Sequence, residues 1–375
     1  MRASNKKMLQ LFPAFVIRVA FWTSGLAIWL GWLLGYMAIW IPADSWLWWV
    51  QLPAILQPYI AVALMPWVLV LAFYRKWRWT FPGILALILS FGTRGDWNEP
   101  PLKPSEGDLR LATYNFAYDY TPDLPIQNPA ASVSVNPDVW ALQEVYAWRG
   151  VRIGGESKML ITEYADLFRK SFAHEAVMIP ENPIMTVYGM PVLAGKRVVA
   201  DTMRVFPAPA RHLTEEPLYS RTVMQFQGSP FVLYNVHFAT LGLLKPWDHD
   251  WRLFKSFGGP LFYLGQFATA YRKHGAQLRY LLNRIHQEKI PVVLAGDLNS
   301  TPNQWVYHEI AKVLQPVEVR REAWFTASWP TERPLFRIDH VWVSQAFEPV
   351  AYEVLSLPYS DHLPVLTYLR WRSHP

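Results

Sequence analysis

The sequence predicts a protein in two parts, a helical membrane segment followed by an α/β domain with one or two layered sheets. Two observations support this division. The apolar excess lies before residue 95, and short β-rich runs alternate with helical ones after residue 106. Hydrophobic residues make up 52% of the 375 residues and charged residues only 17%. That composition is more apolar than is usual for a soluble protein.

Three uncharged stretches near the N-terminus predict transmembrane helices. Residues 19–41 and 46–74 are each long enough to cross a hydrocarbon core of roughly 30 Å, and residues 79–93 form a shorter third stretch. A signal peptide is the competing interpretation of the first stretch, but no small-residue cleavage site follows it. We therefore predict a membrane domain with three helices at 1–94, and a linker rich in Pro, Gly and charge at 95–106.

Basic residues predict the orientation of this membrane domain. Arg2, Lys6 and Lys7 precede the first stretch, and a second basic cluster at residues 75–78 follows the second stretch. Both clusters are expected in the cytoplasm, because positively charged loops stay inside. If the third stretch spans the membrane, the rest of the chain lies on the periplasmic or extracellular side; if it does not, the rest is cytoplasmic. We favour the spanning interpretation.

The excess of basic residues belongs mainly to the membrane part. Residues 1–106 carry nine Lys and Arg against four Asp and Glu, whereas residues 107–375 carry 26 against 25. A domain with so little net charge does not show the basic face that a nuclease normally needs. The chain has no cysteine, which excludes a structural disulfide, a thiolate metal site and a cysteine nucleophile.

The domain after residue 106 contains seven predicted strands and one helix across residues 275–288. Short runs of β-branched and aromatic residues, bounded by turn residues, predict the strands. In chain order they are LRLATYNF (109–116), PDVWALQEV (137–145), RTVMQFQG (221–228), PFVLYNVHFA (230–239), PVVLAGDLN (291–299), RIDHVWVS (337–344) and HLPVLTYL (362–369).

Polar side chains stand where six of these runs begin or end. Taken singly, an Asn or Asp after a strand is a turn residue that bonds its own backbone. Repetition at six strand ends instead predicts a shared site, because buried carboxylates and imidazoles need one another or a metal to offset desolvation. The residues are Asn115, Gln143, Glu144, Asn235, His237, Asp297, Asn299, Asp339, His340, Ser360, Asp361 and His362.

The chemistry of such a set follows from its elements. Hard oxygen ligands without thiolates suit Mg²⁺ or Mn²⁺. A His paired with an Asp suits charge stabilisation or proton transfer. An Asp beside an Asn, as in Asp297 and Asn299, can orient a water molecule and hold a phosphoryl oxygen. Together these groups describe metal-assisted hydrolysis of a phosphoester.

The same blocks resemble the endonuclease/exonuclease/phosphatase superfamily over residues 107–371, and its bacterial membrane-anchored members in particular. The blocks are YN, LQE, NVH, GDLN, RIDHV and SDH, in that order. The resemblance implies a four-layered α/β sandwich, in which two mainly antiparallel sheets are flanked by helices. It also implies that residues 107–375 form the catalytic domain and that the strand ends converge at one end of the sandwich.

The resemblance further implies which residues hold the metal, the water and the phosphate. Asn115, Glu144 and Asp361 are expected on the side of the site that holds the divalent cation. Asp297 is expected to orient or deprotonate the attacking water. Asn299 is expected to hold the substrate phosphate.

Four more residues receive roles from the resemblance. His237 and His362 are expected to stabilise the charge that gathers on the phosphoryl oxygens, and Asp339 to fix the ring of His362. Arg221 is expected to contact the substrate phosphate. The alternative interpretation of Arg221 is a charge on the surface of a strand.

Three functions are compatible with the sequence. We favour a membrane-bound, Mg²⁺-dependent phosphodiesterase or phosphatase whose partners are the lipid bilayer and a phosphoester, with a phospholipid headgroup preferred over nucleic acid. The alternatives are a membrane-anchored nuclease and a catalytically silent subunit that joins other membrane proteins. An aromatic-rich insertion at 241–271, with Trp247, Trp251 and Phe254 at helical spacing, is either a lid that admits a lipid or a small helical cover.

Overall fold

The computed structural model divides the chain into two compact units. The first comprises residues 1–42, 46–94 and 303–305, and the second comprises the remainder. The structure describes residues 2–91, 102–116, 136–148, 176–178, 186–207, 217–241, 258–319, 326–357 and 360–372.

The first unit is helical. Its helices are α1 (Arg2–Met37), α2 (Gln51–Ile55), α3 (Gln57–Phe73) and α4 (Trp77–Phe91), with 3-10 turns at Ala38–Trp40 and Trp48–Val50. Among the described residues, Phe15–Trp40 is the one continuous helical stretch that is long and apolar enough to cross a membrane. The pair Trp48–Ile55 and Gln57–Phe73 passes the same test only as a unit, and it is bent by 65°. The three-span assignment for residues 1–94 therefore stays a prediction.

Aromatic residues pack where α1, α3 and α4 meet. Trp32 and Trp67 belong to the buried cluster of this unit, and the indole Nε1 of Trp32 donates to Ser90 Oγ at 2.7 Å. On the outer side of α3, Leu69 is 69% exposed and Phe73 80% exposed. A helix that is apolar on its packed and its outward sides is typical of a lipid environment. α4 has 15 residues, which gives it a length of about 22 Å.

The second unit is built on two six-stranded mixed sheets. The strands are β1 (Leu109–Asn115), β2 (Val139–Gln143), β3 (Val145–Trp148), β4 (Ala176–Met178), β5 (Thr186–Gly189), β6 (Val192–Ala194), β7 (Val198–Pro207), β8 (Pro217–Phe226), β9 (Ser229–His237), β10 (Val292–Asp297), β11 (Gln315–Pro316), β12 (Asp339–Val343), β13 (Phe347–Val354) and β14 (Val365–Trp371). Within the described residues the first sheet has the order β13-β14-β1-β2-β6-β4, the second has the order β11-β12-β10-β9-β8-β7, and β3 pairs with β5 separately.

Two helices cover the outer face of the second sheet. α5 (Gly258–Ile285) packs on β8, where the rings of Tyr219 and Tyr280 lie 6.0 Å apart. α6 (Trp305–Ala311) packs on β12, where the rings of Tyr307 and Trp342 lie 5.2 Å apart. The prediction of an α/β sandwich with helices outside layered sheets is confirmed.

The hydrophobic core lies between the two sheets. Successive side chains of a strand point to opposite faces, so Leu109 and Leu111 of β1 face the other sheet together with Val293 and Ala295 of β10. All four side chains are fully buried. Burying such side chains contributes roughly 1.5–3 kcal/mol each for the larger ones, which makes this layer the main source of stability.

Among the strands that the structure describes, each sheet has one parallel pair, and its other pairs are antiparallel. β1 runs parallel to β2, with Asn115 opposite Gln143. β9 runs parallel to β10, with His237 opposite Asp297. Parallel neighbours end at the same edge of a sheet, so each pair presents two carboxyl-terminal ends side by side. The polar residues that follow those ends are thereby brought together.

The predicted helix at 275–288 differs from the observed one. α5 begins at Gly258 and ends at Ile285, so much of the predicted insertion is helix. Gly258, Gly259 and Gly265 lower the intrinsic helix propensity of this stretch, but buried aromatic contacts such as that of Tyr271 override it. The insertion residues Trp247, Trp251 and Phe254 lie outside the described residues.

Gly296 is required for the close approach of β9 and β10. It has a φ of +146°, and a Cβ atom there would collide with the carbonyl oxygen of Val236 on the parallel neighbour. Gly228, in the hairpin between β8 and β9, also has a positive φ of +80°, but nothing lies near its Cβ position.

We expect Gly296→Ala to lower the free energy of unfolding by about 3 kcal/mol or more, because it adds a backbone collision to the conformational penalty. Gly228→Ala is the matched control and should cost only about 1 kcal/mol, the conformational penalty alone. Urea denaturation of the full chain measures both values. Equal losses for the two variants would show that β9 and β10 can separate without cost.

Candidate active site

The inward-facing row of each central strand changes from apolar to polar at one end of the sandwich. Along β10 the row reads Val293, Ala295 and Asp297, and only the last is polar. β12 runs antiparallel to β10 and begins there, with Asp339 opposite Asp297. β1 ends in the same way at Asn115. Because every second side chain of a strand points inward, the polar residues at these strand ends in both sheets meet in one cluster.

Asn115 joins two carboxylates in this cluster. Its side-chain Nδ2 donates to Glu144 Oε1 at 3.0 Å and to Asp297 Oδ2 at 3.0 Å. His237 Nε2 lies 3.2 Å from the same oxygen of Glu144 and 3.8 Å from Asp297 Oδ2. The side chains of Glu144 and His237 remain 25% and 20% exposed, whereas Asp297 is 1% exposed. The cluster thus opens to solvent on the side of Glu144 and His237.

The loop after β10 wraps around the Asp297 carboxylate. The backbone N–H of Asn299 donates to Asp297 Oδ1 at 2.7 Å, and the Asn299 side-chain Nδ2 donates to Asp297 Oδ2 at 3.2 Å. The same Nδ2 donates to the carbonyl oxygen of Phe238 at 3.0 Å. Asn299 is therefore held by both β9 and β10, and it fixes the orientation of the carboxylate beside it.

Two residues of the cluster adopt a left-handed backbone conformation. Glu144 has a φ of 52° and Asn299 a φ of 47°. This conformation costs a residue with a side chain roughly 1–2 kcal/mol. Such strain persists where the surrounding structure imposes it, and it concentrates at functional sites. The left-handed conformation of Glu144 directs its carboxylate away from the end of β2 and toward Asn115.

His362 is anchored by Asp339. Its Nδ1 lies 2.9 Å from Asp339 Oδ2, and its Nε2 lies 3.9 Å from Asp297 Oδ2. The backbone N–H of His362 donates to Ser360 Oγ at 3.0 Å, and that hydroxyl donates to the carbonyl oxygen of Asn115 at 2.7 Å. The segment before β14 is thus tied to the end of β1, and the imidazole faces Asp297 with Nε2.

The carboxylates around His362 keep it charged. Burial opposes its positive charge, but Asp339, Asp297 and Asp361 outweigh that effect and raise the pKa of His362 to about 10. The ring is therefore an imidazolium ion at neutral pH. Such a fixed positive charge can stabilise an anionic group in the cluster without a proton transfer.

The two carboxylates that share the Asn115 amide have opposite pKa shifts. Burial tends to raise the pKa of Glu144, but its contacts with His237, Asn115 and His362 prevail and lower it to about 2. Burial, together with the neighbouring charge of Asp339, raises the pKa of Asp297. Two neighbouring carboxyl groups with different pKa values can have different roles, one as a permanent anion and the other as a proton acceptor.

Two groups of side chains offer ligand atoms that lie within 4.8 Å of one another: Glu144, His237 and Asp297 form one, and Asp297, Asp339 and His362 the other. In the second, His362 is engaged by Asp339 and carries a proton, so it does not offer a lone pair. The first group is half open to solvent and has an ionised carboxylate. Its oxygen and nitrogen donors, without sulphur, fit a hard divalent cation.

The predicted metal set is brought together only in part. Glu144 and Asn115 meet, but the Asn115 amide faces the carboxylates with its nitrogen. Asp361 belongs to neither ligand group among the described residues. Its Oδ2 accepts a hydrogen bond from Trp329 Nε1 at 2.9 Å, and its Oδ1 lies 4.0 Å from His362 Nε2. Asp361 therefore lies on the His362 side of the cluster.

Arg221 lies outside this cluster. Its Nε and Nη2 donate to Glu288 at 2.7 and 2.8 Å, and it shares the outer face of β8 with Tyr219, which contacts α5. Its register partner on β9 is Tyr234, three positions before His237 and on the opposite face of the strand. Arg221 therefore does not face the cluster that is expected to hold the substrate phosphate, and the alternative of a charge on the surface of a strand describes its position.

Several supporting residues have roles that sequence patterns did not separate from the cluster itself. Gln143 Nε2 donates to Asn235 Oδ1 at 2.6 Å and so bridges the two sheets beneath the site. Ser328 Oγ accepts hydrogen bonds from the backbone N–H groups of Ile338 and Asp339. The positions of Gln143 and Asn235 at strand ends indicate a role near the site, whereas no sequence pattern distinguishes a single loop serine such as Ser328.

A family model described as the Endonuclease/Exonuclease/phosphatase family matches residues 98–362. Similar solved structures include a protein of that family from Bacteroides thetaiotaomicron, at 13% identity over 72% of this chain and all of that chain, with a TM-score of 0.50. A Beutenbergia cavernae protein has 23% identity over 71% and 72% of the two chains, with a TM-score of 0.47. The catalytic domain of human Nocturnin with bound sulfate has 16% identity over 75% of this chain and all of that chain, with a TM-score of 0.49. The comparison with curated proteins gave no match.

Proposed function

Because the chain belongs to the endonuclease/exonuclease/phosphatase family, we propose that its strand-end cluster hydrolyses a phosphoester with the help of Mg²⁺ or Mn²⁺. One observation carries this proposal. Asn115, Glu144, His237, Asp297 and His362 come from segments far apart in the sequence, yet contacts of 3.0–3.9 Å link them into one cluster. Both the nuclease and the phosphatase branches of the family name denote hydrolysis of phosphoesters.

Glu144 and His237 would hold the cation, next to Asp297. Bound there, the cation would offset the negative charge of the phosphoryl oxygens. The low pKa of Glu144 supports this assignment, because the group is an anion throughout the physiological pH range. Asn115 would act by orienting the two carboxylates through its amide N–H groups.

Asp297 would accept the proton of the attacking water. Its backbone and side-chain bonds to Asn299 fix the carboxylate, so that the water is oriented before it attacks. As the new phosphorus–oxygen bond forms, the water proton moves to Asp297 and the ester bond breaks; the leaving oxygen departs with the electron pair of that bond and takes up a proton from solvent. The imidazolium of His362, held by Asp339, would stabilise the charge on the phosphoryl oxygens from one side. Asn299 would contact the phosphate group from the opposite side.

We expect Glu144→Gln and His362→Ala to lower the rate of hydrolysis on the order of a hundredfold or more, because each removes a preorganised charge. The measurement is turnover of bis(p-nitrophenyl) phosphate by the detergent-solubilised full chain, with Mg²⁺ or Mn²⁺ and with a chelator. Glu348→Gln and His286→Ala, at partly or fully exposed positions outside the cluster, serve as matched controls and should retain turnover.

Chelation should abolish turnover and either cation should restore it. Turnover that survives both the chelator and the Glu144→Gln change would refute the metal-dependent proposal. Variants indistinguishable from an inactive wild type would favour the silent subunit.

A phospholipid headgroup is the substrate class that we favour. The domain carries 26 basic against 25 acidic residues after residue 106, whereas nucleic-acid affinity comes largely from neutralised phosphates. At the start of α5, Leu261 and Phe262 are 62% and 50% exposed, an apolar surface that suits acyl chains better than nucleotides.

We expect the full chain to hydrolyse phosphatidylglycerol or sphingomyelin in mixed micelles faster than it hydrolyses single-stranded DNA. Release of water-soluble phosphate compounds measures the first activity, and shortening of a labelled oligonucleotide measures the second. His362→Ala should abolish both signals. DNA cleavage that exceeds lipid hydrolysis and falls steeply with salt would identify the anchored nuclease instead.

We also propose that the N-terminal helices anchor this domain in the membrane and leave it on the extracytoplasmic side. The support is the apolar stretch Phe15–Trp40 and the basic residues that flank the first two stretches. Other membrane proteins are possible neighbours of such an anchor.

The chain has no cysteine, so a single introduced thiol reports its side of the membrane. We expect Ser356→Cys, at an exposed position of the catalytic domain, to react with a membrane-impermeant maleimide in intact cells. Ser4→Cys, before the first apolar stretch, should react only after lysis. The reverse labelling pattern would put the catalytic domain in the cytoplasm.

A further inference from the structure

A second polar cluster lies on the outer face of the second sheet. It surrounds a cavity of about 140 Å³, large enough for several water molecules or one phosphate group. Strands β7, β8 and β9 and the end of α5 supply its lining, which we call the arginine pocket. The lining residues are Arg204, Arg221, Tyr234, Arg284, Gln287 and Glu288.

The arginine pocket is separate from the catalytic cluster. Tyr234 precedes His237 by three positions, roughly 10 Å along the strand. An odd separation along a strand also places the two side chains on opposite faces. The sheet itself therefore lies between the pocket and the proposed catalytic groups.

Two of the three arginines face each other across neighbouring strands. Arg204 and Arg221 are register partners in the antiparallel pair of β7 and β8. Like charges directly opposite each other destabilise such a pair. Arg284 adds a third guanidinium, so among the described residues the lining carries three positive charges and the single negative charge of Glu288. The pocket is an arrangement that an anion would stabilise.

Glu288 orders the pocket without neutralising it. It accepts hydrogen bonds from Arg221 Nε and Nη2, and from the Tyr234 hydroxyl at 2.5 Å. A guanidinium has five N–H groups, and the described bonds of Arg221 to Glu288 use two of them. The guanidinium of Arg284 lies 5.6 Å from the ring centre of Tyr280, a cation–π contact that holds it in place on the opposite wall.

We propose that the arginine pocket binds a dianionic phosphate group, supplied either by free phosphate or by the headgroup of phosphatidic acid. The planar fork of a guanidinium matches the oxygen geometry of phosphate and forms strong charge-assisted hydrogen bonds with it. Two negative charges on the ligand offset the net charge of the lining. The bound group bridges Arg204 and Arg284 and removes the repulsion between Arg204 and Arg221.

The test measures the thermal unfolding midpoint of the full chain in phosphatidylcholine nanodiscs, with a chelator present to keep cations out of the catalytic cluster. Inorganic phosphate raises the midpoint of the wild type. Arg204→Gln and Arg284→Gln each weaken the apparent phosphate affinity about tenfold or more, because each removes a charged donor. The matched control is Arg272→Gln, which removes the same charge at an exposed position of α5 outside the pocket. Arg221 is left unchanged because its loss would leave the Glu288 carboxylate without its cation.

A second measurement uses no added phosphate. In phosphatidylcholine alone, Arg204→Gln raises the midpoint because it removes the repulsion across the strands. Adding phosphatidic acid to the nanodiscs then identifies the source of the phosphate group. A higher midpoint of the wild type with that lipid, together with no such rise in Arg204→Gln and Arg284→Gln, assigns the pocket to a lipid headgroup. A rise with inorganic phosphate alone assigns the pocket to the free ion.

Three results overturn the proposal. The first is a wild-type midpoint that responds to neither phosphate nor phosphatidic acid. The second is a response of Arg204→Gln and Arg284→Gln equal to that of Arg272→Gln. The third is a midpoint of Arg204→Gln, without phosphate, that is equal to or lower than that of the wild type. That result would show that the repulsion between Arg204 and Arg221 is already offset by other groups.

Discussion

The buried carboxylate of Asp297 is the constraint on which the two-sheet domain depends. It is 1% exposed, and an ionised group so placed is costly unless its surroundings hydrogen-bond it. Asn115 donates to it from the first sheet, and Asn299 donates to it from the loop that follows its own strand. Removing one hydrogen-bond donor from a buried polar group typically costs about 1–3 kcal/mol, and more when the group is charged. The contacts that orient the Asp297 carboxylate are thus the same contacts that allow it to be buried.

The parallel strand pairs explain how one carboxylate can meet so many partners. An antiparallel sheet alternates its strand directions and sends consecutive ends to opposite edges. Here β1 and β2 in one sheet, and β9 and β10 in the other, deliver Asn115 and His237 to the same end as Asp297. The antiparallel strands β12 and β14 then contribute from their beginnings, through Asp339 and the segment that holds His362. The mixed pattern of directions is therefore a requirement of the cluster.

Sequence patterns predicted the strands and most of the cluster, because strand periodicity and a terminal polar residue coincide at Asn115, His237 and Asp297. They failed where position depends on a partner distant in the sequence. The resemblance implies a phosphate contact for Arg221, but it does not show which face of the strand the side chain takes, and Glu288 holds Arg221 on the outer side. The beginning of α5 was missed because Gly258 argues against a helix locally. The resemblance also implies that Asp361 lies beside the metal, whereas its side chain accepts a hydrogen bond from Trp329 on the His362 side of the cluster.

The hydrogen bond between Gln143 and Asn235 has a consequence for how the domain holds its shape. Apolar side chains between stacked sheets tolerate small sliding motions, since one methyl contact replaces another at little cost. A side-chain amide pair at 2.6 Å does not, because a shift of one ångström breaks the bond and takes the Gln143 donor away from the buried carbonyl oxygen of Asn235. The two sheets are thereby locked in alignment one layer below the catalytic groups. Thermal sliding of the sandwich would then be smallest where a misplacement would be most harmful to turnover.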